Sequence, residues 1–541
     1  MSLSRSARRQ SPRPSRLSPL LLALALVWAM APTALAAQSY DILIRNGRLL
    51  DGTGNPWYYG DVAISGDRIA AVGDLENATA TRIIDATGLY LAPGFIDVHS
   101  HAGGGLETPE LSPARPQLAQ GITTVVINPD GGGPVDLVAQ RDSLLRDGLG
   151  VNAAQLVPHG SVRREVIGNE DRAPTDAEMQ RMRDLVRAGM QAGAYGLSSG
   201  PFYAPGSYST TEELVELARV AAEYGGVYTS HIRDESDYTI GLVAAVDEVI
   251  TVAREAQLPG IVTHMKALGP RVWGFSSALV SRIDRARSEG VEVFADQYPY
   301  EASQTGLSAA LLPRWAQVGG GDALEARLDD PATLDSIRVE MVDNLDRRGG
   351  ADRIQIARYE PEPSFEGMTL AAIAEQWGVD AITAAIRLIR EDSPGIVSFN
   401  MHDDDIATLM SQEWMMTGSD GTLVPMNQGV PHPRAYGTYP RKIRRYVVEE
   451  RVLEIGAAIR SMTGLPAAVF DMPERGLLRA GTIADVIVFD LEQVRDLATY
   501  AEPHQLSEGM VHVFVNGVAA IDSGEFTGAM SGRVLRRGEI E

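Results

Sequence analysis

The sequence predicts an α/β protein in which a parallel barrel carries a small β domain built from both ends of the chain. Three observations support this prediction: strand and helix patterns alternate through the middle, short strands and turns fill both ends, and polar residues recur where the central strands stop. Alternating β and α units over a few hundred residues are typical of parallel barrels, in which functional groups collect at the C-terminal ends of the strands.

The composition is that of a large globular protein. The chain has 541 residues, of which 44% are hydrophobic and 22% charged, so it can bury a large core and form more than one domain. The formal net charge of −23 argues against binding to nucleic acids or to anionic membranes. Cysteine is absent from the sequence, which excludes disulfides, thiolate nucleophiles and cysteine metal ligands.

The N-terminus has the pattern of an export signal. Five arginines precede an apolar stretch at residues 20–30, and residues 34–36 have the small-residue form of a cleavage site. The apolar run is shorter than the roughly 20 residues that a membrane span needs. We therefore predict a cleaved signal peptide over residues 1–36 and a periplasmic or secreted protein without a membrane span. Removal of the signal arginines would bring the net charge from −23 to −28.

Both ends of the remaining chain are predicted to form β structure. Residues 41–44 and 61–64 are short runs rich in β-branched residues between turn signals, and residues 484–490 and 511–517 repeat this pattern near the C-terminus. Strands from the two ends would pair in one β domain, which keeps the termini together.

The middle of the chain alternates between helices and strands. Thr210 and Glu213 have the spacing of a capping box that opens a helix, and residues 227–231 follow it as a strand. A second helix, from about residue 240 to 256, precedes another strand at residues 261–264. These repeated units predict the parallel barrel.

Polar side chains stand at the ends of the predicted central strands. His99 and His101 follow an apolar run, and residues i and i+2 of a strand point to the same side, so the two rings could bind one metal ion. A bare His-x-His pair is equally compatible with two structural histidines. The ends of other predicted strands supply four more polar side chains: Asp130, His231, His264 and Asp420.

The donor set indicates which metal such a site would prefer. Four histidines and two carboxylates favour zinc or another divalent transition metal over calcium or magnesium. Such a metal lowers the pKa of bound water to about 7, and a neighbouring carboxylate can carry the proton to a leaving amine. His231 or His264 alone would more often be structural, but six side chains at the ends of five strands favour a catalytic metal centre.

Several motifs together point to a known family. They include Gly94-Phe-Ile-Asp-Val-His-Ser-His101, Thr263-His-Met-Lys266, Gly418-Ser-Asp-Gly421, Ser230-His-Ile-Arg-Asp-Glu235 and His432-Pro-Arg-Ala-Tyr-Gly-Thr438. In these motifs the chain resembles the amidohydrolase superfamily, which implies a (β/α)8 TIM-like barrel with a flanking β-sandwich formed from both termini. Within the superfamily it is most similar to the N-acyl-D-amino-acid deacylases, or D-aminoacylases. The similarity runs from about Tyr40 to the C-terminus.

The resemblance implies a domain for each part of the chain. Residues 38–92 and 466–541 would form the β-sandwich, and residues 93–465 would form the barrel. An acid-rich stretch preceded by three glycines makes about residues 305–355 an insertion in the barrel that could cover its mouth.

The resemblance also implies a role for each side chain at the strand ends. His231 and His264 would bind the tighter metal ion, and His99, His101 and Asp420 would surround a second, weaker position. Asp420 would also be the general acid and base. The implied metal is Zn²⁺, with one or two ions bound and other divalent transition metals possible.

The chain departs from the family at one metal position. Members usually carry a bridging cysteine in the loop after the segment that corresponds to residues 121–124. The aligned residue here is Asp130, and Asn128 is the alternative occupant of this position. A carboxylate can bridge two metals, but it is a harder donor than a thiolate and changes their relative affinities.

The family pattern implies a substrate site as well. Arg434, Lys266 and Tyr298 would hold the α-carboxylate of an N-acylated amino acid, since the planar guanidinium of Arg434 matches a carboxylate. The alternatives are that Arg434 pairs with a neighbouring acid and that Lys266 is solvated. His432 would either line the pocket or stabilise its loop.

We therefore predict a metal-dependent amidohydrolase that hydrolyses the amide bond of N-acyl-D-amino acids or related small N-acyl amino acids. The alternative is a dipeptidase or a cyclic-amide hydrolase on the same scaffold, because a fold and its metal centre do not fix the substrate. A third possibility is a solute-binding protein without catalytic activity, which the complete set of metal-ligand positions disfavours.

Overall fold

A computed structural model describes residues 39–539. The predicted signal peptide, residues 1–36, lies outside the described residues. Within the described range, no helix is both long enough and apolar enough to cross a bilayer.

Strands and helices alternate through most of the described chain. The strands are β1 (Ser39–Leu49), β2 (Tyr58–Ser65), β3 (Arg68–Gly73), β4 (Thr79–Asp85), β5 (Tyr90–Pro93), β6 (Phe95–Asp97), β7 (Ser100–His101), β8 (Ile122–Ile127), β9 (Asn152–Gln155), β10 (Val157–Pro158), β11 (Gly196–Ser199), β12 (Val227–Ser230), β13 (Gly260–Val262), β14 (Val293–Gln297), β15 (Ser303–Gly306), β16 (Ile354–Arg358), β17 (Gly395–Ser398), β18 (Met415–Thr417), β19 (Gly421–Thr422), β20 (Val486–Phe489), β21 (Met510–Val515), β22 (Val518–Asp522), β23 (Glu525–Phe526) and β24 (Val534–Leu535). The α-helices are α1 (Gly103–Leu106), α2 (Arg115–Ala119), α3 (Leu137–Leu144), α4 (His159–Ile167), α5 (Asp176–Gln191), α6 (Thr211–Ala222), α7 (Leu242–Ala256), α8 (Ser276–Ser288), α9 (Leu307–Leu311), α10 (Gly321–Asp329), α11 (Pro331–Arg347), α12 (Leu370–Trp377), α13 (Ala381–Asp392), α14 (Asp403–Met410), α15 (Arg434–Arg441), α16 (Ile455–Met462) and α17 (Gly464–Val469). A π-helical segment, Lys442–Glu449, continues α15.

The central strands are parallel and follow one another in chain order. One sheet has the order β10-β11-β12-β13-β14-β18, and another joins β6, β8 and β9. Only Leu156 separates β9 from β10, so the two sheets meet along one segment of chain. On the other side, β7 pairs in parallel with β19. Because β7 and β19 follow β6 and β18 closely, this pair brings together the C-terminal ends of the first and last central strands.

Local sequence explains why these elements form. All six residues of β8 are β-branched and buried, as expected of a parallel strand that is covered on both faces. In α6, Leu214, Leu217 and Ala221 lie on the buried face at helical spacing. Gly225, with a φ of 69°, allows the chain to turn after this helix and enter β12.

The predicted capping box of α6 is only half formed. Thr210 Oγ1 accepts a hydrogen bond from the Glu213 backbone N–H at 3.3 Å. The Glu213 carboxylate does not return to Thr210 but binds His159 at 2.9 Å and the guanidinium of Arg163. Arg163 is completely buried, and a buried cation needs an anionic partner more than a helix terminus needs a second cap.

Both ends of the described chain contribute to one nine-stranded sheet. Its order is β23-β22-β21-β20-β5-β1-β2-β3, with β4 alongside β1. The neighbours β5 and β20 come from opposite ends of the chain, as the strand patterns predicted. The final strand differs from the predicted assignment of residues 466–541 to this domain, because β24 pairs with β9 of the central sheet.

A separate unit lies between β14 and β18. β15, β17 and β16 form an antiparallel sheet, and α9 to α13 pack around an apolar core that includes Leu307, Ile337, Ile354 and Ile373. This unit contains the predicted insertion, about residues 305–355, and continues to the end of β17. The predicted stretch corresponds mainly to its helices, which carry the acidic side chains.

A buried lysine lies beside the last central strand. Lys442 is 1% exposed, and its Nζ donates hydrogen bonds to Thr417 Oγ1 at 2.9 Å and Ser461 Oγ at 2.8 Å. Burial lowers the pKa of Lys442 from 10.5 to about 7. Because both hydrogen-bond acceptors are neutral, burial of the ammonium opposes folding wherever the lysine is charged.

This lysine predicts a specific pH dependence of stability. Between pH 7 and pH 10 the unfolded chain holds the proton of Lys442 and the folded chain does not, so the free energy of unfolding rises with pH. We expect Lys442→Met to have a higher free energy of unfolding than wild type, with the largest difference at or below pH 7. This difference should shrink by about 1–3 kcal/mol between pH 7 and pH 9. Urea unfolding of both proteins at several pH values measures the difference. A difference that is independent of pH would contradict this assignment.

Candidate metal centre

The six side chains predicted to bind metal lie together at the C-terminal ends of the central strands. Each one either lies one to three residues after the end of a different strand or ends the short strand β7. The set comprises His99 after β6, His101 in β7, Asp130 after β8, His231 after β12, His264 after β13 and Asp420 after β18.

The six side chains form two groups that share Asp130. One group contains His99, His101, Asp130 and Asp420, and the other contains Asp130, His231 and His264. Within each group, the potential ligand atoms lie within 4.8 Å of one another.

Each oxygen of the Asp130 carboxylate faces both groups. Oδ1 lies 3.4 Å from His99 Nε2 and 3.7 Å from His264 Nε2. Oδ2 lies 3.3 Å from His101 Nε2 and 3.8 Å from His231 Nδ1. Of the two candidates for the shared position, Asp130 is therefore the one that faces both groups. The Asn128 amide instead exchanges hydrogen bonds with Gln140 at 2.8 and 2.9 Å.

The donor atoms fit a divalent transition metal. Both ring nitrogens of His99, both ring nitrogens of His231 and Oδ1 of Asp130 are buried without a hydrogen-bond partner. Buried polar atoms in a folded protein are nearly always satisfied, so a cluster of orphaned atoms that face one another indicates a ligand. Imidazole nitrogens and carboxylate oxygens are donors that zinc accepts.

The electrostatics of the cluster favour a cation. Burial lowers the pKa of His101, but its contacts with Asp130 and Asp420 outweigh this effect and raise the pKa to about 9. Burial and the charge of Lys266 lower the pKa of His264, but nearby carboxylates raise it to about 10. Burial raises the pKa values of the Asp130 and Asp420 carboxyls, yet the surrounding cationic side chains hold both well below the usual range. The site therefore attracts protons when metal is not bound.

Metal binding is therefore expected to release protons. At pH 7 the raised pKa values of His101 and His264 keep both rings protonated in the metal-free protein, whereas a metal ligand must be neutral imidazole. We expect Zn²⁺ to displace about two protons at pH 7 and fewer as the pH approaches 10. Calorimetric titration in buffers of different ionisation enthalpy measures this number, and His101→Asn should lower it by about one. Binding without proton release would contradict the assignment of these rings as ligands.

Backbone conformation fixes the positions of several ligands. Asp130, His264 and Asp420 have φ values of 57°, 36° and 50°, in the left-handed region that residues other than glycine rarely adopt. Hydrogen bonds hold two of them: His264 N donates to Asp296 Oδ1 and Asp420 N donates to His99 O, both at 2.8 Å. Such strain is characteristic of sites where side-chain direction matters.

Glu235 also belongs to the site, a role that its sequence motif alone did not predict. Its Oε1 lies 3.1 Å from His264 Nδ1 and 2.5 Å from Lys266 Nζ. A carboxylate on the second nitrogen of a ligating histidine fixes the orientation and tautomer of the ring. The sequence signal was present, because Glu235 lies four residues after His231 in a segment already noted as a motif.

The predicted substrate-binding residues Arg434, Lys266 and Tyr298 lie beside the metal ligands. Arg434 Nη1 forms an ion pair with Asp420 Oδ2 at 2.6 Å. Arg434 therefore does pair with a neighbouring acid, which was the predicted alternative to substrate binding. Arg434 Nε remains buried without an acceptor, and the guanidinium lies over the Tyr298 ring at 4.7 Å. The Tyr298 hydroxyl is also buried without a partner. Lys266 is 4% exposed, which excludes the alternative of a solvated side chain.

Two roles were predicted for His432, lining the pocket or stabilising its loop, and its contacts fit the second. Its Nε2 lies 2.9 Å from the carbonyl oxygen of Ala302, and its Nδ1 accepts from the backbone N–H of Arg434 at 3.0 Å. Burial and the nearby charge of Arg434 hold the pKa of His432 well below its usual value, so the ring is neutral. Because backbone groups occupy both nitrogens, His432 supports the start of α15 and leaves substrate contacts to its neighbours.

A cavity of about 450 Å³ opens above the metal ligands. His101, Asp130, His231, His264 and Asp420 line its floor, and His99 lies beneath, completely buried. Residues of the inserted unit form part of the wall, namely Ser303, Gln304, Thr305, Gly306, Arg348 and Gly395. The inserted unit therefore borders the mouth, and the volume suits a small organic molecule.

Sequence comparison relates the chain to enzymes of known activity. The amidohydrolase family model matches residues 82–521. An N-acyl-D-glutamate deacylase of Alcaligenes xylosoxydans xylosoxydans is 37% identical over 522 residues, which are 92% of this chain and 97% of the relative. A D-aminoacylase of the same organism is 33% identical over 526 residues, which are 93% and 98% of the two chains.

Structural comparison gives a similar result. The N-acyl-D-glutamate deacylase of Bordetella bronchiseptica has been solved with zinc and a phosphonate inhibitor, a mimic of the tetrahedral intermediate of the reaction. It matches with a TM-score of 0.79 and 37% identity, covering 92% of this chain and 100% of the solved chain. The predicted mixed α/β fold is therefore confirmed.

Proposed function

Since the chain belongs to the amidohydrolase family, as its motifs predicted, we propose that it is a metal-dependent deacylase of N-acyl-D-amino acids. The observation that carries this proposal is the pair of metal-binding groups that share Asp130 and lie beside Arg434 at the floor of one cavity. Two curated relatives with 33–37% identity over more than nine-tenths of this chain are deacylases of D-amino acids.

We propose that the site holds Zn²⁺, in one or two ions. His231, His264 and Asp130 would bind the first ion, while His99, His101 and Asp420 would complete a second position with Asp130 between the two. When bound, a divalent transition metal acidifies a coordinated water and polarises the carbonyl of the scissile amide. The solved deacylase of Bordetella bronchiseptica contains zinc, which supports this choice of metal.

Asp420 is proposed to move the proton during hydrolysis. Its pKa lies well below the usual range, so it is ionised at neutral pH and can accept the proton of the attacking water. The same carboxyl can then donate the proton to the departing amine nitrogen. Arg434 holds Oδ2 of Asp420 at 2.6 Å, which leaves Oδ1 directed toward His101 at 3.1 Å.

The substrate carboxylate is proposed to bind at Arg434, Lys266 and Tyr298. The buried Nε of Arg434 and the hydroxyl of Tyr298 lack partners in the protein, and a carboxylate would satisfy both. Lys266 Nζ lies 5.7 Å from the centre of the Tyr298 ring, so its ammonium, which Glu235 holds at 2.5 Å, lies beside the same region. Fixing the α-carboxylate there would position the amide over the metal ligands.

We also propose the finer architecture that the resemblance implies. With β9 and β10 counted as one strand, the eight central strands would close into a (β/α)8 barrel through the contact of β7 with β19, and the nine-stranded sheet would form the flanking β-sandwich. Export to the periplasm or beyond remains a proposal that rests on the sequence of residues 1–36. Sequencing the N-terminus of the protein secreted by its native host would test this export.

The activity is tested with matched substrates. The zinc-loaded protein should hydrolyse N-acetyl-D-amino acids and leave the L-enantiomers, dipeptides and cyclic amides largely intact. Faster hydrolysis of dipeptides or of dihydrouracil would favour the alternative enzyme classes. Binding of N-acyl amino acids without turnover, at full metal occupancy, would favour a solute-binding protein.

A further inference from the structure

A buried arginine lines the cavity without a carboxylate partner. Arg348 is 1% exposed and contributes to the cavity wall. Among the described residues, no carboxylate forms an ion pair with its guanidinium, whereas the adjacent Arg347 is paired with Asp237 and Asp343. Burying a guanidinium without an anion is costly, so an uncompensated arginine at a cavity indicates an anionic ligand.

Neutral groups hold Arg348 and leave part of its guanidinium available. Its Nε donates to the Tyr238 hydroxyl at 3.0 Å. In the orientation that satisfies the hydrogen bonds of the Asn400 amide, Asn400 Oδ1 accepts from Arg348 Nη1 at 3.2 Å. These contacts fix the direction of the side chain but do not balance its charge.

A second arginine, the half-buried Arg314, lies behind Phe202 of the cavity wall and adds positive charge near Arg348. The Arg314 guanidinium lies 3.9 Å from the centre of the Phe202 ring, and no described carboxylate pairs with it. Its Nη2 is buried without an acceptor. Burial lowers the pKa of Arg314, and the like charge of Arg348 acts in the same direction, while Tyr238, Tyr203 and the Asp234 carboxylate oppose it without reversing it.

Arg348 contacts Tyr238 and Asn400, whereas Arg434 contacts Asp420 and Tyr298, and the Arg348 region lies close to the metal ligands. The Phe202 ring lies 5.2 Å from the His231 ring and 5.6 Å from the Tyr238 ring, whose hydroxyl binds Arg348. One aromatic side chain therefore separates the Arg348 region from a proposed metal ligand. If the α-carboxylate occupies Arg434, Arg348 remains as a cation in the cavity wall that is available to a second substituent of the substrate.

We propose that Arg348 binds a second carboxylate of the substrate, located on either the amino-acid side chain or the acyl group. This inference rests on the proposed deacylase function and narrows its substrate class to N-acyl-D-amino acids with two carboxylates. The planar guanidinium can bind a carboxylate through charge-assisted hydrogen bonds, for which a neutral amide or an alkyl group is a poor substitute.

Two pairs of matched substrates test this proposal. N-acetyl-D-glutamate is compared with N-acetyl-D-glutamine for a side-chain carboxylate, and N-succinyl-D-alanine with N-pentanoyl-D-alanine for an acyl carboxylate. In the zinc-loaded wild type, kcat/KM for the dianionic member of at least one pair should exceed that of its neutral partner by about 10- to 100-fold. The pair that shows the preference identifies the source of the carboxylate.

The variant Arg348→Met should remove this preference by lowering kcat/KM for the dianionic substrate about 10- to 100-fold, chiefly through KM, with little change for the neutral partner. Arg348→Lys should retain part of the preference, because it keeps the charge but not the planar donor geometry. Arg347→Met is the matched control, since that guanidinium already has two carboxylate partners, and it should leave the preference unchanged.

Several results would overturn the proposal. Equal hydrolysis of charged and neutral substrates by wild type would do so whether or not the variants fold. An equal loss on both members of a pair in a folded Arg348→Met protein would assign Arg348 a structural role only. Failure of the zinc-loaded wild type to hydrolyse all four compounds would instead contradict the proposed deacylase function.

Discussion

Replacement of Asp420 by asparagine is expected to lower kcat by about 10²- to 10⁴-fold while the fold and most of the bound metal remain. Asparagine keeps the size of the side chain and an oxygen donor, but it cannot accept or return a proton. The backbone hydrogen bond from residue 420 to His99 O does not depend on the side chain. Steady-state kinetics with metal analysis of the same sample would measure both effects.

The control for this experiment is Asp522→Asn. Asp522 lies on β22, where it pairs with Arg82 at 2.6 Å and with His512 at 3.1 Å, on the sheet formed by the chain ends. Its replacement should leave kcat unchanged. Asp420→Asn protein that retains more than about a tenth of wild-type kcat would exclude Asp420 as the group that moves the proton.

Replacement of Asp130 by alanine should weaken metal binding at both positions at once. The two oxygens of Asp130 face all four histidines of the site, and no other described carboxylate belongs to both groups. Loss of a ligand's supporting partner typically costs 10- to 100-fold in metal affinity, so loss of a shared ligand should cost more than about 100-fold. Competition with a chromogenic chelator measures the affinity, and activity should fall with metal occupancy.

The matched control is Asp142→Ala in α3, the helix that follows the Asp130 loop. The Asp142 side chain is 70% exposed, so its replacement should not affect metal binding. If Asp130→Ala bound two zinc ions as tightly as wild type, the sharing of Asp130 would be wrong. Loss of only one ion would restrict Asp130 to one of the two groups.

Much of the fold could be predicted because its signals are local. The β-branched run of β8, the cap of α6 and the turn at Gly225 each act within a few residues. The pairing of the last strand, β24, with the central sheet could not be predicted in this way. β24 pairs with β9 across more than 300 residues of chain, and a two-residue strand leaves no periodic signal.

Part of the candidate site could also be predicted from the sequence. Parallel strands bring their C-terminal ends to one side, so His231, His264 and Asp130 could be grouped before their distances were known. The role of Glu235 depends on how the loop after β12 folds back toward Lys266, and the role of Glu213 depends on the burial of Arg163. Such long-range pairs are set by tertiary packing and have no fixed spacing in the sequence.

One carboxylate, Asp130, joins two potential metal-binding groups at the ends of the central strands. Anomalous diffraction at the zinc edge from zinc-loaded crystals tests it most directly. We expect a strong peak among Asp130, His231 and His264, and a second peak of equal or lower occupancy among His99, His101 and Asp420, with the Asp130 carboxylate in contact with each occupied position. Zinc bound elsewhere, or bound at this cluster with Asp130 turned away, would contradict the claim.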